Sequence, residues 1–510
     1  MNNLDRNIFN DFLKENLNFY HKTHLVNKKT IIVSVTNDLI FNTILLKFGK
    51  IISEIENTNV CFIPFLKYNR DIHKLAHSFN FYKTLLTIFC FFKIFIKYFL
   101  FIFFNLIKIN NGTTLEKYQI NQIPIGKHIY DYILIRNKIA TINKLSFIYK
   151  VDILICLIYF LLLRDIIREN EINSIITLDN VYIEGIVFEL SKFYKIKMYT
   201  GFNINNLTLH LFKNENDFNF HCRTPDKKYI SKIINNEKFK RDTIKFLNKR
   251  FSGNQNQHDA KRAFSSNKIK LSRNELVKQY NLNENKIILV LPHVFCDAPH
   301  AYPSVFYKDY ENWLIDTLTI LNNNKQINLI IKEHPSAALY NEEGYLEKLL
   351  NRLQLKNVKL ISNEINSKSL MTTVDALITC GGTSGMEYAY HGVPVVIASS
   401  PPYSHFDFVN KALNIDHYHN LLNNITQLPV VTKAQQSLAG SLLYLFFEFY
   451  GINKSKAFLN CYSINRGEKN DLNYFFSYII KNKNLNNSHF YIKGKINQMI
   501  QSNFNNLYKN

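Results

Sequence analysis

Asp375-Ala-Leu-Ile-Thr379 runs without a break into Cys380-Gly381-Gly382-Thr383-Ser384-Gly385-Met386-Glu387-Tyr388-Ala389-Tyr390-His391-Gly392-Val393-Pro394-Val395-Val396-Ile397-Ala398. The order is an apolar strand, a small-residue turn, a helix start at Ser384, a glycine stop at Gly392 and a second strand over 395–398. A glycine-rich turn feeding a helix start leaves backbone N–H groups without intrahelical acceptors, and such groups favour an anion, most often a phosphate. Gly382, Thr383, Ser384 and Gly385 are therefore candidate nucleotide-binding residues. Ser384-Gly-Met-Glu387 also fits a capping box, with Glu387 bonding back to the Ser384 N–H, and that reading needs no ligand. Capping alone does not account for Gly381, Gly382 and Gly385 together, which thin the wall where a ligand would approach.

Outward from this stretch, strands at 286–291, 327–332, 358–361, 376–379 and 395–398 alternate with helices near 309–323, 342–354, 367–373 and 384–391. Such alternation predicts a parallel sheet covered on both faces, with ligands beyond the carboxyl ends of its strands. Strand 327–332 ends at Lys332-Glu-His-Pro335, strand 286–291 leads to His293 and Asp297, and strand 376–379 leads to the glycine turn. All three groups fall on one edge. Lys332 and His334 are two apart at a strand end, so their side chains point the same way. A cation beside an imidazole suits a departing nucleotide phosphate, which adds Lys332, His334 and Glu387 to the nucleotide-binding candidates. His293 and Asp297, with His300 and Tyr302 nearby, could relay a proton or position a hydroxyl, and are candidate catalytic residues.

The first half begins with a strand at 31–35, a helix at 39–54 and a strand at 60–65, without a Gly-x-Gly-x-x-Gly turn. A strand over 174–178, a helix over 182–194 and a strand over 196–200 follow. Asp179, Glu184 and Asp131 are its best acceptor-side acids, with Asp179 and Glu184 placed among the candidate catalytic residues. Residues 235–285 are polar, basic and rich in Asn, Gln and Ser, with helical stretches between breaks, and read as a linker or interdomain crossing.

Composition sets limits. At 510 residues the chain exceeds one ordinary core, so two domains and a tail are expected. Lys plus Arg number 62 against 40 for Asp plus Glu, a net charge of +22 that favours anionic partners. No run of five or six basic residues concentrates that charge, which argues against nucleic acid and for an anionic membrane surface or a nucleotide substrate. The seven cysteines are scattered without metal-ligand or redox spacing, and neither a bound metal nor a resident cofactor is expected. Dispersed thiols and an amino terminus without a basic-then-apolar leader point to the cytoplasm.

Residues 84–107 are long enough to span a bilayer, but Lys93 and Lys97 stand in the middle. Four apart, they share one helical face. The pattern suits a helix lying in the membrane interface or a core helix with snorkelling lysines better than a spanning one. A peripheral position on the inner face of the cell membrane follows from the first of these.

Lys332-Glu-His-Pro335 together with Gly381-Gly-Thr-Ser-Gly-Met-Glu387 and Gly392-Val-Pro-Val-Val-Ile397 resembles the bacterial capsule and surface-polysaccharide glycosyltransferases, a group that includes capsule Kdo transferases. His293–Asp297, Asp309-Tyr-Glu-Asn-Trp313 and Pro402-Tyr-Ser-His-Phe-Asp-Phe408 agree with it, as do Gly126-Lys-His-Ile-Tyr-Asp131 and Asp179-Asn-Val-Tyr-Ile-Glu-Gly185. A weaker similarity links His334 and Thr383/Ser384 to the CMP-phosphate residues of bacterial sialyltransferases, without their acidic-acidic-Gly motif.

The resemblance implies a GT-B fold of the α/β class, two Rossmann-like domains facing across a cleft. The expected division is 1–250 for an acceptor domain, 251–434 for a nucleotide-sugar domain and 435–510 for a helical extension packing back. The implied activity is metal-independent transfer of a sugar from a nucleotide-sugar donor, with a CMP-activated Kdo-like sugar acid among the candidates, to a capsule or surface glycan or a lipid-linked acceptor. The alternatives are a nucleotide-sugar 2-epimerase or CDP-polyol phosphotransferase on the same fold, or a non-catalytic polysaccharide-assembly protein.

Overall fold

The computed structural model describes the chain apart from residues 1–3, 21–27, 35, 37, 65–68, 82, 85–86, 202–206, 255–256, 303–304, 453–471, 482–484, 503–504 and 508–510. Two compact units account for it, each a Rossmann-like α/β sandwich as expected for the GT-B class. Unit 1 comprises Met1–Tyr130, Lys144–Arg223 and Phe449–Asn510, and unit 2 comprises Asp131–Asn143 and Thr224–Glu448.

Unit 1 holds strands β1 (Lys29–Ser34), β2 (Asn59–Pro64), β3 (Lys83–Thr84), β4 (Ile172–Ile176), β5 (Lys197–Thr200) and β6 (His210–Phe212). Their order is β3-β2-β1-β4-β5-β6, parallel except for the antiparallel edge pair β5/β6. β1 reads Thr-Ile-Ile-Val-Ser after its first residue and is buried along that length, the continuous burial of a central parallel strand rather than an alternating one. Helices α1 (Arg6–Phe19) and α2 (Leu39–Glu56) cover one part of the core, each started by an aspartate, Asp5 and Asp38, whose carboxylate accepts two N–H bonds of the first turn.

The apolar run at 84–107 is a bent pair, α3 (Thr87–Lys97) and α4 (Phe99–Lys108), that turns by 76° at Tyr98. Among the described residues no single helix is long and apolar enough to cross a membrane. Both helices pack on α5 (Phe147–Glu169), which precedes β4. Helix α6 (Tyr182–Phe193) follows β4.

Unit 2 repeats the arrangement. Its strands are β7 (Lys286–Val290), β8 (Ile327–Lys332), β9 (Val358–Ile361), β10 (Ala376–Thr379), β11 (Val395–Ile397) and β12 (Asn410–Lys411). Their order, β12-β11-β10-β7-β8-β9, is all parallel. Both sheets therefore reverse direction between their first and fourth strands, the switch point where a doubly wound sheet opens a crevice. Trp313 on α8 (Tyr310–Asn322) anchors one face; it is fully buried, and its indole N–H donates to Tyr418 Oη at 2.8 Å.

The polar segment 235–285 is not a bare linker. It forms α7 (Glu237–Phe251) and two shorter helices, His258–Ala263 and Arg273–Tyr280, all within unit 2. Helix α7 buries Phe239, Phe246, Leu247 and Phe251, an amphipathic stripe that the surrounding Lys and Asn conceal. Asp131, read above as an acid of the first half, belongs to unit 2, where its carboxylate accepts from the His300 N–H at 3.1 Å and pairs with His300 Nδ1 at 2.7 Å. Of the C-terminal segments, Lys433–Tyr444 belongs to unit 2, while Leu472–Lys481 and Leu485–Gln501 pack on α1 and α2 in unit 1. Six cysteines are free thiols, and Cys461 lies outside the described residues.

Candidate functional site

The carboxyl ends of β7, β8 and β10 converge as their spacing predicts. Register holds them level: Ile288 pairs with Leu329 on one side and Ala376 on the other, and the Leu291 N–H donates to Ile378 O at 3.0 Å. Beyond these ends lies a cavity of about 120 Å³ in unit 2. It is lined by His293 after β7, by Lys332 and His334 at the end of β8, and by Gly382, Thr383, Ser384 and Glu387 after β10. Seven of the candidate residues thus share one cavity. Asp297 is not among its lining residues, and Asp179 and Glu184 belong to unit 1.

Lys332 is the most informative side chain. It is buried, with its Nζ donating to Ile365 O at 2.6 Å and to Ser367 Oγ at 3.2 Å, both neutral groups. Burial, reinforced by repulsion from Lys268, brings its pKa down to about 7. An ammonium has three donors, and the two acceptors named use two of them.

His293 lies flat on Tyr310, ring centroids 4.4 Å apart, and its Nε2 accepts from the Gly381 N–H at 3.1 Å. Burial first, and the neighbouring His334 second, lower its pKa to about 3, so the ring is neutral. With Nε2 occupied as an acceptor, His293 acts in this structure as the brace of the glycine turn. His334 is likewise lowered, chiefly by burial, and its Nδ1 accepts from the Ser336 N–H at 3.2 Å.

The three glycines divide their work. A Cβ on Gly381 would stand 2.5 Å from Ser399 Oγ, and one on Gly385 would stand 2.3 Å from Tyr403 Oη. These two let aromatic side chains pack under the turn: Tyr302 Oη donates to Gly381 O at 2.9 Å and Tyr403 Oη to Gly382 O at 2.5 Å. Gly385 therefore supports the turn from behind instead of lining the cavity. Gly382 alone faces it, and the N–H groups of Gly382 and Thr383 meet no protein acceptor among the described residues.

The capping box is absent. Helix α9 (Ser384–Tyr390) begins after Thr383 without a side-chain cap, and Glu387 instead accepts from Arg250 Nε at 2.8 Å and Nη2 at 2.6 Å. Arg250 comes from α7, is 1% exposed and also donates from Nη1 to Gln257 Oε1. Arg250, Gln257 and Asp259 line the cavity and were hidden in the segment read as a linker. One signal was available: Arg250 falls on the same helical stripe as Phe246, Leu247 and Phe251, and an arginine on an apolar stripe needs a buried partner. Asp259 accepts a hydrogen bond from Ser336 Oγ, tying α7's successor helix to the β8 turn.

In unit 1, Glu184 stands at the same place in the fold as Glu387, in the helix after the fourth strand. It is buried and accepts from the Leu178 N–H at 3.1 Å. Burial, with the nearby Asp179 charge, pushes its pKa well above the ordinary carboxyl range. Asp179 Oδ1 accepts from the Asn180 N–H at 2.8 Å. Among the described residues, no group of three or more His, Cys, Asp or Glu side chains is clustered as a metal site.

Residues 227–410 match the family described as capsule polysaccharide biosynthesis protein. The matched segment thus takes in α7, the β7, β8 and β10 strand ends and every lining residue of the cavity. Two curated relatives are the capsule polysaccharide modification proteins LipA of Neisseria meningitidis serogroup A, 26% identical over 122 residues, and serogroup B, 27% identical over 163 residues. The matches cover 24% and 32% of this chain and only 16% and 21% of those relatives. Among solved structures, the Thermosulfurimonas dismutans KpsC beta Kdo 2,4 transferase aligns with a TM-score of 0.32 at 12% identity, over 53% of this chain and 79% of that one. The UDP-GlcNAc 2-epimerase from Neisseria meningitidis aligns with a TM-score of 0.24 at 12% identity, over 82% and 99%. Likenesses this distant carry no weight for activity.

Proposed function

We propose that the chain is a glycosyltransferase of capsule or surface-polysaccharide assembly, and that the unit 2 cavity receives the phosphate of a nucleotide-sugar donor. The observation that carries this reading is Lys332: a buried amine on neutral acceptors, beside two open backbone N–H groups, inside the capsule-family segment. Burying a cationic group costs free energy unless a charge partner arrives. A phosphate would be that partner, restoring the charged form of Lys332 while accepting from Gly382 and Thr383.

In the reaction, an acceptor hydroxyl oxygen forms a bond to the anomeric carbon as the bond from that carbon to the phosphate oxygen breaks. Lys332 and the turn N–H groups offset the charge that develops on the leaving phosphate. The hydroxyl proton passes to a base, for which Asp179 of unit 1 and Asp297 of unit 2 remain the candidates. Burial raises the pKa of Glu184 well above the ordinary carboxyl range, which makes it a weaker candidate for the base. A CMP-activated sugar acid is one donor that the motif resemblance implies, and an epimerase acting on a free nucleotide sugar is the competing enzyme class.

The test is thermal melting of the full chain with CMP, CDP, UDP, GDP and TDP, where ligand at a hundredfold its Kd adds about 2.7 kcal/mol of apparent stability. A shift with CMP alone selects a CMP-sugar donor; a shift with UDP or GDP selects a hexose donor. No shift with any of them rejects the cavity as a nucleotide site. Nucleotide release only when a glycan acceptor is added separates transfer from epimerisation.

A further inference from the structure

The largest feature that the nucleotide site leaves unexplained lies in unit 1, on α3 and α4. Phe92 and Ile96 on α3 and Leu100, Phe103, Phe104 and Ile107 on α4 are all at least half exposed. At the start of α5, which packs on both helices, Phe147 is 81% exposed. A soluble monomer rarely leaves so many large apolar side chains together on one surface. The charges within these segments have one sign: Lys93, Lys108, Lys144 and Lys150 are exposed, and segments 83–115 and 144–151 contain no Asp or Glu, the nearby carboxylates Asp165 and Glu169 lying further along α5.

Beneath α3 is a cavity of about 340 Å³. Its cations are Lys29, Lys93 and Lys97, and its apolar wall includes Ile31, Ile94 and Leu162. Two carboxylates also line it. Asp165 is already engaged, by Lys97 at 2.7 Å and by the Tyr98 hydroxyl at 2.9 Å, and Glu169 is exposed. Lys29 donates to Asn170, a neutral group, and Lys93 has no carboxylate partner among the described residues. The cavity thus offers uncompensated positive charge next to an apolar surface.

We propose that this surface seats the chain on an anionic lipid leaflet, with the exposed faces of α3 and α4 among the acyl chains and the Lys29/Lys93 cavity taking the phosphate of a lipid headgroup. Charge decides between occupants. A second copy would set lysine against lysine, whereas an anionic leaflet neutralises them. The 76° bend lets two short helices lie in the interface with their apolar faces down, a posture that a single straight span would not give. The proposal stands apart from the nucleotide reading, since it uses none of the same residues.

Flotation of the full chain with phosphatidylcholine vesicles, with and without phosphatidylglycerol, tests it. Binding to the anionic vesicles about tenfold tighter than to the neutral ones is expected. The Phe103→Asp/Phe104→Asp variant is expected to lose about tenfold or more on both vesicle types. Both residues are exposed, so its melting curve should match the parent. Lys29→Ala/Lys93→Ala should abolish the preference for phosphatidylglycerol and leave neutral binding in place. The proposal fails if a cooperatively melting chain binds neither vesicle, or if the aspartate variant binds as the parent does. It also fails if light scattering shows a dimer that this variant dissolves, or if soluble glycerol phosphate raises the melting temperature while vesicles do not bind.

Discussion

The loop after β4 in unit 1 and the loop after β10 in unit 2 occupy equivalent places in sheets of identical strand order, yet they treat their backbone donors differently. In unit 1 the helix carboxyl, Glu184, turns back and accepts from Leu178, so this strand-end N–H is satisfied by the protein itself. In unit 2 the helix carboxyl, Glu387, is drawn away by Arg250, and the N–H groups of Gly382 and Thr383 stay open beside Lys332. One doubly wound frame therefore closes its strand end with Glu184 in unit 1, whereas in unit 2 His293 takes the Gly381 N–H, Arg250 holds Glu387, and the next two N–H groups stay open. Arg250 supplies that hold from α7, a helix that contributes nothing to the sheet.

Breaking that arrangement should have the largest effect. Arg250→Met leaves the Glu387 carboxylate buried without its partner, which should cost about 3–5 kcal/mol. Chemical denaturation reads the loss, and the nucleotide-induced melting shift should vanish with it. The double variant Arg250→Met/Glu387→Leu removes both charges and should recover most of the stability without restoring the shift. If the single variant is as stable as the parent, Glu387 is not held by Arg250 in the way described.

The next effect falls on binding instead of folding. Lys332→Met should weaken nucleotide binding about a hundredfold, roughly 3 kcal/mol, with the fold intact. The pH dependence carries a sign. The native pKa of Lys332 is depressed to about 7, so between pH 7 and the ordinary lysine range the unfolded chain binds a proton that the native chain has shed. Native stability should therefore rise with pH across that window, and Lys332→Met should remove this contribution. Phosphate favours the charged amine, so nucleotide binding at pH 8 should take up a proton. Calorimetry in buffers of different ionisation enthalpy measures the uptake, and an equal heat in both buffers would contradict the assignment.

Gly385→Ala sharpens the comparison at smaller cost. The added methyl would sit 2.3 Å from Tyr403 Oη, the group that donates to Gly382 O. Overpacking of this kind costs about 1–3 kcal/mol. Nucleotide affinity should fall with it, because the turn loses its support. Gly382→Ala meets its nearest atoms at 3.3 Å and should spare the fold while still impairing binding.

Much of this was legible in the residues. The alternating runs 286–291, 327–332, 358–361, 376–379 and 395–398 gave strands whose ends bring Lys332, His334 and the glycine turn to one cavity. Strand ends are fixed by local apolar pattern, so their convergence follows once the sheet is parallel. Three things were not legible. Gly385 and Gly382 look alike in sequence, and only the position of Tyr403 tells support from lining. His293 reads as a base until Gly381 is seen to occupy its Nε2. Arg250 lies 137 residues from Glu387, and its place on the apolar stripe of α7 signals that it needs a buried partner without saying which residue supplies it.

The smallest effect belongs to the closed loop of unit 1, and its size is the point. Glu184 is buried and its pKa is raised well above the ordinary carboxyl range, so Glu184→Gln offers a side chain of the same shape with an oxygen able to accept from Leu178. At neutral pH the change should fall within about 1 kcal/mol, against the several expected for Arg250→Met in unit 2. Its signature should lie in the pH profile. The native carboxyl keeps its proton above the range where the unfolded one gives it up, so Glu184 contributes stability that is full below the ordinary carboxyl pKa and lost as pH rises. The glutamine variant should flatten that decline. A loss of several kcal/mol instead would mean that Glu184 is held as a carboxylate, and that the two loops are more alike than their hydrogen bonds indicate.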